Sequence, residues 1–266
     1  MDTRMDTRTH RNDVARTTEH AVRAIHAGVE HREPFRHLQL AEFFPADLYG
    51  EMLECMPVPQ DYRRMSGRAK YTRTADGGGT RTKIDLFPEY IRHLPPGKKA
   101  VWNTVGRALC CVEVREAFRQ RLAPGLEKRF GARYGALGLY PIPVLTRDVP
   151  GYRLSIHSDA RAKGITVQLY LPRDRSLDHI GTVFHEKAAD HSYRRAMQMP
   201  FSPNTGYAFA VGDDTYHSVD LVGPEVPTRD SILLTYFVDE TRLQVVRNRA
   251  RRLGNLVLNE IRSMTR

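Results

Sequence analysis

The sequence has few cysteines, one tryptophan and no long apolar segment. Only three cysteines occur in 266 residues, and two of them, Cys110 and Cys111, are adjacent. Adjacent cysteines do not form an ordinary disulfide, and an odd number cannot all be paired, so a disulfide-stapled secreted domain is excluded and a reducing cytoplasm is favoured. No apolar run approaches the roughly 20 residues of a membrane-spanning helix. Because the doubled Met-Asp-Thr-Arg at the start does not resemble a secretory signal, we expect a cytoplasmic protein.

Positive charge exceeds negative charge in this chain. Lysine and arginine total 41 and aspartate and glutamate 31, which gives a formal net charge of +10. Such an excess can attract nucleic acid, an anionic membrane surface or an acidic small molecule. No nucleic-acid-binding motif accompanies it. The charge therefore favours a small anionic substrate or cofactor, and the alternative, arginine used simply for solvated surfaces, stays open.

The chain is long enough for one domain with a sizeable core. Short strand-like runs separated by turns fill its second half, and helix-like periodicity lies on either side. This pattern predicts a mainly β protein with flanking α-helices, whose core is a double-stranded β-helix (a cupin-like jelly roll) supported by helices. The predicted parts are a disordered N-terminus (1–12) and a single domain (13–266), with helical support and a leader strand (13–133), a mobile loop (60–83), the jelly-roll core (134–240) and a C-terminal helix (241–266).

Two histidines and one aspartate stand in strand-like segments of the predicted core. His157 and Asp159 belong to a segment in which apolar and polar residues alternate from Tyr152. A period of two places both side chains on one face, within reach of a common ion. His217 lies in the next strand after the turn Gly212-Asp213-Asp214. Two imidazoles and one carboxylate hold non-haem Fe(II) with open positions for oxygen chemistry, so these three are the candidate metal ligands and catalytic residues. An ordinary polar strand face is the alternative.

An arginine and a serine follow the second histidine at a short distance. Arg229 and Ser231 share one face of a β-branched and aromatic run that is typical of a buried strand. A buried arginine needs an anion, and its planar fork fits a carboxylate. A metal with open positions beside such a clamp indicates an oxygenase that consumes a keto acid. An ion pair between Arg229 and a surface acid such as Asp230 is the alternative.

Further segments match a known pattern in order and at suitable spacing. They are residues 33–38, 43–48, 147–152, 157–159, 165–172, 181–184, 204–209, 217 and 229–231. Together they resemble the Fe(II)- and 2-oxoglutarate-dependent dioxygenases, in particular the branch similar to prolyl 4-hydroxylases. The resemblance spans roughly residues 33 to 240 of this chain. It implies that the three candidate ligands bind Fe(II), with 2-oxoglutarate and O2 as co-substrates.

The resemblance also implies roles for the residues around the co-substrate. Arg229 would hold the distal carboxylate of 2-oxoglutarate, with hydroxyl groups added by Ser231 and Tyr170. Thr166 shares a strand face with Tyr170, so it is also expected to line the cofactor site. Prolyl 4-hydroxylases usually carry lysine where this chain has Arg229, which weakens the case for a prolyl substrate. We expect hydroxylation of an unactivated C–H bond in a small metabolite or natural-product intermediate, with an anionic one favoured; a peptidyl or prolyl hydroxylase acting on a protein and a cupin-like metal enzyme without 2-oxoglutarate are the alternatives.

Overall fold

Residues 3–65 and 79–239 are described by a computed structural model. Within these ranges five α-helices surround two β-sheets. No helix in this part of the chain is both long and apolar enough to cross a membrane. The helices are α1 (Thr3–Ala27), α2 (Ala46–Glu54), α3 (Pro96–Leu109), α4 (Val112–Arg121) and α5 (Ala123–Phe130).

The strands pair antiparallel throughout the described ranges. The large sheet has the order β1-β2-β10-β7-β12-β5-β4-β3, and the small sheet has the order β6-β11-β8-β9. Two antiparallel sheets that enclose an interior form a jelly roll, which confirms the predicted fold class. The strands are β1 (Val29–His31), β2 (His37–Leu40), β3 (Arg63–Arg64), β4 (Arg81–Asp85), β5 (Gly138–Asp148), β6 (Leu154–His157), β7 (Lys163–Tyr170), β8 (Thr182–Lys187), β9 (Tyr193–Gln198), β10 (Gly206–Ala210), β11 (Tyr216–Val219) and β12 (Arg229–Asp239).

The helices cover the outer face of the large sheet. Alternate residues of the central strands β7 and β12 are apolar and fully buried, and they join one hydrophobic cluster with side chains from α1, α3 and α4. The burial of these apolar side chains supplies most of the stabilisation of the fold. The strand residues in this cluster include Ile165, Val167, Leu169, Ile232, Leu234 and Tyr236, and the helix residues include Ile25, Trp102 and Phe118.

The inner face of the large sheet carries the intervening, mostly polar residues. One side of the interior is closed by aromatic rings, because Phe184 of the small sheet packs against Phe35, Tyr207 and Phe209. Polar residues of β5, β7 and β12 lie on the same face, beyond this packing. A strand with one apolar and one polar buried face places its polar side chains in an enclosed space between the sheets.

Helix α1 extends into the segment for which disorder is predicted from the sequence. Helix α1 begins at Thr3, whereas a disordered segment was expected over residues 1–12. The sequence contains no glycine or proline between Thr3 and Ala27, so nothing in it interrupts the helix before Gly28. The polar composition of the first dozen residues suggested disorder, but polar residues are compatible with a helix.

The predicted mobile loop at 60–83 is partly ordered. Its two ends form the antiparallel pair of β3 and β4, and β4 adds to the large sheet beside β5. Cross-strand hydrogen bonds hold these two ends in place. The glycine-rich sequence between them gave no indication of this pairing. Residues 66–78 of that loop and the predicted C-terminal helix at 241–266 lie outside the described residues.

Candidate metal centre

Two neighbouring strands of the small sheet bring the candidate histidines together. His157 ends β6 and faces His217 of β11 directly across the antiparallel pair. Their ring centroids are 4.3 Å apart. Asp159 follows two residues after the end of β6, and one ligand atom of each of the three residues lies within 4.8 Å of the others. Within the described ranges, this is the one cluster of at least three histidine, cysteine or acidic residues with that spacing.

Backbone hydrogen bonds set the tautomer of both histidines. The Nδ1 atom of His157 lies 2.9 Å from the carbonyl oxygen of Ser155, and Nδ1 of His217 lies 3.1 Å from that of Thr215. A carbonyl oxygen only accepts, so each Nδ1 must carry the proton and donate it. Each Nε2 therefore keeps its lone pair, which is the arrangement in which a histidine binds a metal.

Asp159 is held in its ionised form. Its Oδ1 accepts a hydrogen bond from Lys163 Nζ at 2.6 Å, and its Oδ2 accepts one from Thr166 Oγ1 at 2.6 Å. Burial by itself would raise the pKa of Asp159, but Lys163, His217 and Thr166 together lower it to about 2. The carboxylate is thus available as an anionic ligand throughout the physiological range.

His217 is held in its neutral form. Burial lowers its pKa to about 4, even though the Asp159 carboxylate acts in the opposite direction. A neutral imidazole is the form that coordinates a metal. One carboxylate and two imidazoles that each carry the lone pair on Nε2 fit a first-row divalent ion such as Fe(II).

Arg229, the predicted carboxylate clamp, is buried on the inner face of the large sheet. Its side chain is 1% exposed, and it pairs with Asp148 at 2.9 Å from Nη1 to Oδ2. Its Nε donates to the carbonyl oxygen of Ile180 at 2.9 Å. The surface acid considered as an alternative partner, Asp230, pairs with Arg147 instead. Arg229 is therefore an interior cation, as the keto-acid hypothesis requires.

The other predicted cofactor residues lie on the same inner face, with hydrogen bonds of their own. Ser231 Oγ accepts from Gln168 Nε2 at 2.5 Å and lies 2.9 Å from Thr146 Oγ1. The hydroxyl of Tyr170 donates to Thr182 Oγ1 at 3.0 Å and accepts from the Thr182 amide at 3.0 Å. Both residues line the interior next to Arg229, since Ser231 and Tyr170 are direct cross-strand partners.

Thr166 lies on the inner face, at the end that carries the metal ligands. Its hydroxyl donates to Asp159, so it stands at the metal-ligand cluster and not beside Arg229. Thr166 and Tyr170 are four positions apart in β7, which is about 13 Å along a strand. Strand alternation correctly placed both residues on one face but could not assign them to different ends of it.

Several residues of this interior were not singled out from the sequence. Asp148 and Arg81 complete the surroundings of Arg229, Lys163 holds Asp159, and Thr182 accepts hydrogen bonds from both Tyr170 and Tyr207. Asp148 stands in the Arg147–Tyr152 segment that carried the family resemblance, so a signal for it was present. That Asp148 is a neighbour of Arg229 can be seen only when the order of the strands is known, because the two residues pair across β5 and β12.

The remaining histidines between the two ligand strands do not join the cluster. His185 faces away from His217 across the β8–β11 pair and forms a hydrogen bond with Ser218 Oγ at 2.7 Å. His179 and His191 are exposed.

Comparison with known proteins gives similarity of fold. No protein-family model matches the sequence, and no curated protein matches it. The solved structures that are similar include the following three. A prolyl-4-hydroxylase from Pseudomonas putida is 17% identical with a TM-score of 0.49, covering 83% of this chain and 98% of its own. A 2OG-Fe(II) oxygenase family oxidoreductase from Burkholderia pseudomallei is 13% identical (TM-score 0.42, 83% and 89%), and AviO1 from Streptomyces viridochromogenes is 11% identical (0.45, 77% and 90%).

Buried neutral histidines are expected to make the protein less stable in acid. Burial lowers the pKa of His37, as it does that of His217, to about 4. The unfolded chain takes up these protons near pH 6.5 and the native protein only near pH 4, so the free energy of unfolding should fall between these values. Asp159 does not offset this, since its lowered pKa costs stability only below about pH 4.

The His37 contribution can be isolated by substitution. In His37→Phe the loss of unfolding free energy between pH 6.5 and pH 4 should be smaller than in the wild type, by up to about 3 kcal/mol. Urea denaturation of both proteins across this pH range measures the difference. Parallel pH profiles for the two proteins would contradict a buried, neutral His37.

Proposed function

We propose that this protein is an Fe(II)- and 2-oxoglutarate-dependent oxygenase that hydroxylates an unactivated C–H bond. One observation carries the proposal: a group of two histidines, each with Nδ1 bonded to a backbone carbonyl, and an ionised aspartate shares the interior with a buried arginine. His157, Asp159 and His217 would hold Fe(II). With 2-oxoglutarate and O2 the bound metal would supply the oxidising power for hydroxylation, and the protein supplies orientation and shelter from water.

The residues of the chain divide this work between two ends of the interior. At one end, Lys163 and Thr166 hold Asp159 beside the histidines. At the other end, Arg229 would bind the distal carboxylate of 2-oxoglutarate in a charge-assisted hydrogen bond. The hydroxyl groups of Ser231 and Tyr170 lie next to it. Fixing both ends of the co-substrate would leave its keto-carboxylate group at the metal.

The interior also excludes water from part of its volume. Phe184, Tyr207 and Phe209 are fully or almost fully buried and pack against one another between the sheets. The ring of Phe209 lies 5.4 Å from that of His217. An apolar wall beside the metal would protect a reactive centre from side reactions.

For the substrate we propose a small molecule, with an anionic metabolite or natural-product intermediate favoured. Support comes from the net charge of +10 and from cationic side chains of β3 and β4, at one side of the large sheet. Lys83 of β4 lies on the inner face, opposite Thr146 of β5, and its side chain is 26% exposed. Hydroxylation of a prolyl or other peptidyl residue in a protein is the alternative.

A cupin-like metal enzyme that does not use 2-oxoglutarate is a second alternative. It would need the three metal ligands but no cation for a keto acid. Arg229 argues against it, because Arg229 and Arg81 share the single carboxylate of Asp148, and the positive charge left over in the interior is costly unless an anion binds there. Asp148 offsets part of the charge of Arg229, so the consumption of 2-oxoglutarate has to be measured to decide between the two kinds of enzyme.

A cytoplasmic location belongs to the same proposal. Cys55, Cys110 and Cys111 form no disulfide in the described part of the chain. A reducing compartment keeps thiols in this state and also keeps iron as Fe(II).

Release of succinate is the direct test of the proposed reaction. The purified protein, supplied with Fe(II) and 2-oxoglutarate in air, should form succinate, and a metabolite panel that includes anionic compounds should contain a member that raises the rate. Proline-containing peptides form the second arm of the panel. Substrate conversion without any consumption of 2-oxoglutarate would favour the cupin-like alternative, and stimulation by peptides alone would favour the peptidyl hydroxylase.

A further inference from the structure

Three charged residues form a row across adjacent strands of the large sheet. Asp148 of β5 lies opposite Arg81 of β4 on one side and opposite Arg229 of β12 on the other. Arg81 grips the carboxylate with two hydrogen bonds, from Nε at 2.5 Å and from Nη2 at 2.7 Å. Arg229 Nη1 donates to the same carboxylate at 2.9 Å. One aspartate is therefore shared by two arginines.

The row is removed from solvent. The side chains of Arg81, Asp148 and Arg229 are 7%, 0% and 1% exposed. A desolvated ion pair is stable only when its geometry is good, and the loss of one partner leaves a buried charge behind. The two-point grip of Arg81 fixes the plane of the Asp148 carboxylate, so the oxygen that meets Arg229 has a defined position.

Asp148 is one of several groups that define the position of the Arg229 guanidinium. Nε donates to Ile180 O, and Nη2 makes a long contact of 3.4 Å with Thr182 Oγ1. The rings of Tyr170 and Phe201 lie 5.5 and 5.2 Å from the guanidinium carbon. Because Nε, Nη1 and Nη2 each have a partner in the described part of the chain, the plane of the guanidinium is fixed as well as its position.

We propose that Asp148, held by Arg81, is a positioning residue that fixes Arg229 for the distal carboxylate of the co-substrate. This rests on the proposed function. A fixed guanidinium sets the distance between the carboxylate clamp and the metal ligands, and so it selects the length of the keto diacid that can reach both. Asp148 then contributes to affinity through pre-organisation, and it contributes to selectivity for the five-carbon acid over longer ones.

The matched control is a second ion pair on the same two strands. Arg147 and Asp230 are direct neighbours of Asp148 and Arg229 in the register, with side chains 12% and 9% exposed. Arg147 donates two hydrogen bonds to the carboxylate of Asp230, at 2.7 and 3.2 Å. Because strand residues alternate in direction, this pair lies on the opposite face of the sheet.

The experiment compares Asp148→Asn and Arg81→Lys with Asp230→Asn and Arg147→Lys in the full chain. Binding of 2-oxoglutarate and of 2-oxoadipate, one methylene longer, is measured by calorimetry with Mn(II) in place of iron. Urea denaturation records the stability of each variant. Asp148→Asn should raise the Kd of 2-oxoglutarate at least tenfold and reduce the preference for it over 2-oxoadipate, and Arg81→Lys should do the same to a lesser degree. The controls should lose stability but keep both affinities within about twofold.

Each outcome separates the inference from the proposed function. Failure of the wild type to bind 2-oxoglutarate would remove the proposed function itself. Wild-type binding together with an unchanged Kd and an unchanged length preference in Asp148→Asn would overturn the positioning role. If Asp148→Asn does not fold, the Kd and the length preference of Arg81→Lys test the positioning role in its place. This variant keeps the positive charge and removes the two-point hydrogen bonding to the Asp148 carboxylate. Equal effects in the control pair would reduce Asp148 to a structural residue.

Discussion

Replacing Asp159 or His217 with alanine is expected to abolish tight Fe(II) binding. Each change removes one of three protein ligands from a group whose ligand atoms lie within 4.8 Å of one another. Loss of a residue that only orients a metal ligand typically costs 10–100-fold in affinity, and loss of a ligand should cost more than about 100-fold. A variant that does not bind the metal should also form no product.

Anaerobic titration with Fe(II) measures this directly, and the wild type should show one site per chain. His185→Ala is the control, because His185 lies on a neighbouring strand of the same sheet but points away from the cluster and bonds Ser218. Its Fe(II) affinity should equal that of the wild type. Tight Fe(II) binding by the double variant Asp159→Ala with His217→Ala would show that the metal site lies elsewhere.

The metal-ligand group could be predicted from the sequence because it depends on local patterns. The alternation before His157 indicates a strand, and period two directs His157 and Asp159 to one side. That His217 comes to lie opposite His157 is a matter of strand pairing between residues 60 positions apart. Spacing alone does not predict such a pairing; the order of several motifs suggested it.

The surroundings of Arg229 could not be predicted in the same way. The sequence showed that a buried arginine needs an anion, and Asp230 next to it was the obvious candidate. In the sheet, however, neighbours along a strand point to opposite faces, so Asp230 meets Arg147 while Arg229 meets Asp148. Arg81, in a region expected to be a mobile loop, completes the row. These partners depend on the order of β4, β5 and β12.

The role of Thr166 illustrates the same limit within one strand. Alternation placed Thr166, Gln168 and Tyr170 on the inner face, where the structure has them. Which end of the strand faces the metal depends on the position of the small sheet, and this is a tertiary property. Thr166 consequently bonds Asp159, while Tyr170 lies under Arg229.

Replacing Arg229 with alanine is expected to weaken 2-oxoglutarate binding strongly and to leave Fe(II) binding intact. Removing one partner of a buried, hydrogen-bonded charge pair costs about 2–5 kcal/mol. That corresponds to a rise in Kd of roughly 30-fold to several thousandfold. Asp148 would still be paired with Arg81 in this variant, so the fold should tolerate the change. Calorimetry with Mn(II) gives the Kd, and the dependence of succinate formation on 2-oxoglutarate gives the kinetic counterpart.

Two milder substitutions and one control complete this prediction. Ser231→Ala and Tyr170→Phe each remove one neutral hydroxyl group that already has partners in the protein, so each should cost about 0.5–1.5 kcal/mol of binding. Arg147→Ala, on the opposite face of the same strand pair, should leave the Kd unchanged. If Arg229→Ala binds 2-oxoglutarate as the wild type does, Arg229 is not the clamp. The exposed Arg153, which precedes the strand of His157, is then the next arginine to replace.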